Sequence, residues 1–113
     1  MSMYPPFSPG QLTKQTAGSS STALAFSDKL TGEQLYVVNT SATIAVVFAL
    51  GGSTVVAAAT DNTWTPSGAV GAQTVIPAAT GRYITRGDAT HCAFIRDGGS
   101  DATIYINTGA GGA

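Results

Sequence analysis

No apolar run in this chain outlasts a short strand. The longest, residues 44–50, has seven members. Glycine, proline or an Asn, Asp or Ser turn closes the apolar segments before a helix could use them. No window of 12 or more residues sets apolar side chains at the i, i+3, i+4, i+7 spacing of a helix with one buried face. Where a period is visible it is two. Ala102, Ile104 and Ile106 alternate with Thr103, Tyr105 and Asn107, so the first set is expected inside and the second outside. A chain patterned like this is expected to fold as short strands joined by turns.

Composition sets the scale of that fold. The 113 residues suit one domain. Ala, Gly, Ser and Thr supply 58 of them, and Val, Ile, Leu and Phe only 23, so the core must be small. Disorder would call for high net charge, whereas the formal charge is −1. With only 11 charged residues, the surface must be covered by Ser, Thr, Asn, Gly and Ala, which favours association. Five Lys and Arg against six acids give no electrostatic footprint for nucleic acid. No basic amphipathic helix suits a membrane surface, and seven apolar residues fall far short of the roughly 20 that span a bilayer. The first ten residues hold three prolines and no apolar stretch, so no secretory leader is expected. Cys92 is the only cysteine and makes no intrachain disulfide.

Strand signals fall at residues 22–26, 34–40, 43–50, 54–59, 73–76, 83–86, 91–96 and 102–107, with turn residues between them. The last two segments, joined by Asp97-Gly98-Gly99-Ser100-Asp101, read as the clearest hairpin. Strands of this number and spacing in one domain predict an all-β sandwich, jelly roll or small barrel. Residues 1–16 read as an extended arm, residues 17–108 as the sandwich and residues 109–113 as a flexible Gly/Ala tail. Pro5, Pro6 and Pro9 hold the arm extended, and Tyr4 and Phe7 sit in it. Such an arm is either a loose terminus or a segment that docks on a neighbour. Residues 43–50 are apolar on both sides: Ile44, Val46, Phe48 and Leu50 on one, Ala45, Val47 and Ala49 on the other. A lone sandwich should have a wet outer face, so this second side suggests a subunit contact.

Candidate chemistry is sparse. His91 is the only histidine, and Cys92 follows it. Neighbours on a strand point to opposite faces, which disfavours a dyad. Cys92 reads as a small buried hydrophobe and His91 as a polar residue at a strand edge. Asp97 and Asp101 read as turn residues. No zinc, calcium or phosphate-loop pattern is present, so neither metal nor cofactor is expected. Arg86-Gly87-Asp88 matches the tripeptide of many integrin ligands, but it sits where a turn is expected. Gly87 supplies a positive φ, and Asp88 suits a turn. Trp64, in the loop at residues 61–68, is the aromatic best placed to stack on a sugar.

Val75-Ile76-Pro77-Ala78, Gly81-Arg82-Tyr83-Ile84-Thr85, Ala89 to Ile95 and Ala102 to Ile106 together resemble small phage structural proteins. They are similar to the decoration, or cement, proteins that sit outside the capsid lattice of tailed bacteriophages. The similarity is one of pattern over roughly the last forty residues, without a shared motif. It implies a jelly-roll-like β-sandwich, a homodimer or homotrimer, that clamps subunits of the major capsid protein on the outer surface of the virion after synthesis in the host cytoplasm. On this reading the chain is not an enzyme, and nucleic acid and membrane are not partners. Tyr4, Phe7, Trp64, Arg86 and Asp88 are then the candidate interaction residues. The alternative is a carbohydrate- or receptor-binding sandwich from a phage tail or fibre.

Overall fold

The computed structural model describes residues 8–26, 34–58 and 72–110. They form eight strands: β1 (Ser8–Ala17), β2 (Thr22–Ala25), β3 (Gln34–Asn39), β4 (Ala45–Gly51), β5 (Ala72–Ile76), β6 (Thr80–Thr85), β7 (His91–Asp97) and β8 (Ala102–Ala110). Four lie in one antiparallel sheet in the order β1-β8-β3-β6, and four in a second in the order β2-β7-β4-β5. The pairings are nested: β1 with β8, β2 with β7, β3 with β6, β4 with β5. The chain therefore behaves as one long hairpin whose two arms wrap together, successive rungs falling alternately in the two sheets. Lateral bonding of β3 to β8 and of β4 to β7 completes the sheets. That order is a jelly roll.

The period-two pattern becomes the core. Leu35 and Val37 of β3 and Ala102, Ile104 and Ile106 of β8 face Val46 and Phe48 of β4 and Phe94 of β7. Phe48 and Phe94 are directly opposed across the strand pair. All of these residues are buried.

Five expectations are corrected. The segment at residues 91–107 is not a hairpin: β7 and β8 belong to different sheets. The glycine-rich turn carries the chain from one layer to the other, and partners are chosen by the wrap. Residues 8–16 are not arm but most of β1, on the sheet edge, where Pro9 is tolerated because its ladder breaks between Pro9 and Leu12. At that break Gln11 N–H donates instead to the Thr108 hydroxyl, at 2.8 Å. At the other terminus, Gly109 and Ala110 extend β8.

Of the strand expected at residues 54–59, the described residues 54–58 form only an isolated bridge at Val56 and no strand of their own. Val55 and Ala57 are buried against Ala49 and Ala93, with Ile95 packed alongside, on the outer face of the second sheet. Ala57 N–H donates to Ser21 Oγ on the β2 side (3.0 Å), and Ala58 N–H to Gln73 Oε1 on β5 (3.2 Å). The chain itself thus covers much of the second apolar side of β4, and that side is no longer an argument for a subunit contact.

Candidate interaction surface

With its strands alternating, the first sheet turns a full row of side chains outward. Register aligns Leu12, Asn107, Tyr36 and Tyr83 in one row and Lys14, Tyr105, Val38 and Gly81 in the next. Tyr36 and Tyr83 meet with ring centroids 4.5 Å apart, tilted by 37°. Tyr36 lies over Gly81, where a Cβ would stand 2.8 Å from its Cζ, so the glycine is what lets the ring lie flat on the sheet. Leu12 is 63% exposed and Tyr83 46%. Of the eight residues in these two rows, Lys14 alone is charged. Tyrosine offers large contact area at low entropy cost and keeps a polar handle. A face made this way is suited to contact with another macromolecule.

The Arg86-Gly87-Asp88 segment is a turn. Ala89 N–H donates to Arg86 carbonyl at 3.2 Å, and Gly87 has φ +59°. A positive φ at the first central position is the type II′ pattern. The Arg86 side chain folds back instead of reaching out: its Nε donates to the Ala89 carbonyl (3.2 Å) and its guanidinium stacks 4.5 Å above the Phe26 ring. Asp88 is exposed. The two charges of the tripeptide are therefore not presented side by side. Arg86 Nη1 is buried and has no hydrogen-bond partner; among the described residues the same holds for Asn107 Oδ1. Each such atom costs about 1–3 kcal/mol if nothing binds it.

Asn39 is the opposite case. It is fully buried, yet its Nδ2 donates to the carbonyls of Ile44 (2.7 Å), Ile76 (3.2 Å) and Pro77 (3.3 Å), and its Oδ1 accepts from Ser41 N–H (3.0 Å). One side chain pins the end of β3 to the start of β4 and the end of β5, tying the two sheets together.

His91 and Cys92 alternate as expected. The His91 ring lies 2.8 Å from the Thr90 hydroxyl. Cys92 is fully buried, and desolvation pushes its thiol up to about 12, so it stays protonated at neutral pH. Asp101 pairs with Arg96 at 2.6 Å across the turn between β7 and β8. Among the described residues no three His, Cys, Asp or Glu side chains gather as metal ligands.

Of the five candidate interaction residues, Tyr4, Phe7 and Trp64 lie outside the described residues, and Arg86 and Asp88 share the turn just described. The tyrosine face was missed as a unit. Its only signal in the sequence is aromatic residues at outward strand positions, and strand order is needed to bring them together. Comparison with known proteins finds no matching family model, no matching curated protein and no matching solved structure. The jelly-roll assignment therefore rests on the strand order.

Proposed function

We propose that this protein is a structural, non-catalytic virion component: a decoration protein that stabilises a tailed-phage capsid by bridging major capsid protein subunits. The observation that carries this reading is the outer face of the first sheet, where three tyrosines, Leu12 and Val38 stand with a single charge. Burying such a face between shell subunits adds contact area without chemistry, and repetition over a shell multiplies a modest affinity. The protonated, buried Cys92 thiol is consistent with a protein that does no nucleophilic work. Self-association into a dimer or trimer belongs to the same proposal.

The test compares particles with and without the protein by low-resolution imaging, together with co-sedimentation on shells that lack it. Ordered extra density on the outer surface, and saturable binding to shells, are expected. Unchanged particles would overturn the reading. A truncation used alongside should remove residues 1–7 only, because β1 begins at Ser8. Light scattering of the purified protein at micromolar concentration should report a dimer or trimer, and a monomer would remove that part. A second reading, glycan binding, draws on the Tyr36–Tyr83 pair, since tyrosine rings also stack on sugars. Saturable glycan binding lost in Tyr83→Ala, with no binding to shells, would favour it.

A further inference from the structure

The first sheet ends at β1, whose outer side meets no strand among the described residues. Hydrogen bonding fixes which groups that side presents. Thr40 N–H donates to the Thr103 carbonyl at 3.0 Å, one step beyond the β3–β8 register. Bonded pairs alternate along an antiparallel ladder, so Thr103, Tyr105 and Asn107 bond toward β3 while Ile104 and Ile106 bond toward β1. On β1 the partners of that second set are Gln15 and Thr13. Leu12, Lys14 and Thr16 therefore turn their N–H and C=O groups off the sheet, and all three residues are exposed. Beside this edge, between β1 and β2, the sandwich opens into a cleft of about 220 Å³ lined mainly by Leu12, Leu24, Phe26 and Ile106.

A strand laid along β1 would stand about 4.8 Å from it, with side chains alternating as those of β1 do. Opposite Thr13, which shares the inner side with Ile106, a side chain would enter the cleft. Opposite Leu12 and Lys14 the side chains would lie outward. Leu12 is 63% exposed there, and Lys14 is in no ion pair, the only one among the described residues being Arg96–Asp101. We infer that β1 binds an extended acidic segment of a partner protein by antiparallel strand addition, a carboxylate lying opposite Lys14 and an apolar side chain, opposite Thr13, entering the cleft. Backbone bonds supply affinity, and alternate side chains supply choice. A second copy of β1 fits poorly, because it would set Thr13 and Gln15 over the apolar cleft, and lysine guards edge strands against self-pairing. The cleft on the other side of the sandwich, about 200 Å³, borders β5. There Gln73 already holds the backbone of Ala58 in two hydrogen bonds, at 3.2 and 3.4 Å. This inference goes beyond the capsid reading, because it rests on backbone pairing at one edge and on none of the three tyrosines.

The experiment joins hydrogen exchange to an NMR titration of the full chain. In the free protein the amides of Leu12, Lys14 and Thr16 should exchange much faster than those of Thr13 and Gln15. Equal protection would mean that the chain itself or a second copy fills the edge, and would overturn the proposal. The probe is the capped peptide Ac-Ser-Glu-Leu-Val-Ser-NH2, whose antiparallel register sets Glu opposite Lys14, Leu opposite Thr13 and Val opposite Leu12. It should shift the three outward amides and the side-chain signals of Leu24, Phe26 and Ile106. Methylating the Glu or the Val nitrogen, each of which faces β1, should weaken binding roughly tenfold. Methylating the Leu nitrogen, which faces away, should not. Glutamine in place of the Glu should weaken binding about two- to fivefold, and that preference should vanish in Lys14→Gln. Equal binding of the acid and amide peptides to the unaltered protein would overturn the proposal. So would equal losses from all three methylations, or shifts confined to Phe48, Leu50 and Ile84 at the other cleft.

Discussion

At one end of the sandwich the four connections, 18–21, 40–44, 77–79 and 98–101, are three to five residues long. At the other, the connections after β2, β4 and β6 have eight, twenty and five residues, and Ser8 and Ala110 pair there as well. Each end holds one conspicuous polar side chain. Asn39, at the short end, is buried with every hydrogen-bonding atom engaged. Arg86, at the long end, has a buried nitrogen with no partner. The two longer connections, after β2 and β4, have lengths that commonly carry function, whereas the turn that holds Arg86 is no longer than 40–44 at the short end. Satisfied polar groups specify a fold, whereas an unsatisfied one invites explanation by a ligand.

If that contrast is right, truncating the two side chains should have very different effects. Asn39→Ala leaves the carbonyls of Ile44 and Ile76 and the Ser41 N–H without their partner inside the protein. It should lower stability by about 3 kcal/mol, read from urea denaturation. A change below about 1 kcal/mol would mean water replaces the amide, and the short end would lose its special status.

Dryness of the core should not differ between the ends, and Cys92 checks this near the long end. The thiol's usual value of 9.0 is raised to about 12 in the folded chain. Between those values the unfolded chain releases a proton that the folded chain keeps. Stability from this group is therefore complete below pH 9 and falls as pH rises toward 12, by at most about 1.4 kcal/mol per pH unit. Denaturation at pH 8 and pH 10 should show a steeper loss for the natural protein than for Cys92→Ala. Equal losses would mean that water reaches the thiol.

The short end also carries strain. Ala79 has φ +54°, a left-handed conformation in a non-glycine residue, and its N–H donates to the Ser41 carbonyl at 2.8 Å. Ala79→Gly should raise stability by about 0.5–1 kcal/mol, the relief of the left-handed strain exceeding the added freedom of the unfolded chain. A loss of stability would show that the alanine methyl has a packing role. The smallest effect belongs to Arg86. Arg86→Met removes an orphaned donor together with the Nε bond to the Ala89 carbonyl and the charge over Phe26. These are a gain and losses that offset, so stability should change by less than about 0.5 kcal/mol. A large loss would make Arg86 as structural as Asn39 and erase the comparison.

What could be read in the sequence was whatever depends on neighbours along the chain. The alternation at Ala102, Ile104 and Ile106 gave the inward face of β8, and Gly87 was legible as a residue with positive φ. Pairing was harder. The turn at 97–101 has hairpin chemistry, but strand partners are set by the wrapping of the whole chain, and β7 and β8 part company there. β1 escaped notice because Gln11, Thr13, Lys14, Gln15 and Thr16 suit an edge strand without announcing one. Asn39, followed by Thr40 and Ser41, has the chemistry of a turn residue, yet it is a buried staple. Tyr36, Tyr83 and Tyr105 are far apart in sequence, and only the order β8-β3-β6 makes them one surface.

That surface is tested most directly by quantitative co-sedimentation of the natural protein and Tyr83→Ala with shells lacking the protein, with circular dichroism to verify the fold. Tyr83 is 46% exposed, so its truncation should leave the sandwich intact. Shell binding should weaken at least tenfold, which corresponds to about 1.4 kcal/mol for each contact. Undiminished binding by a well-folded Tyr83→Ala variant would contradict it.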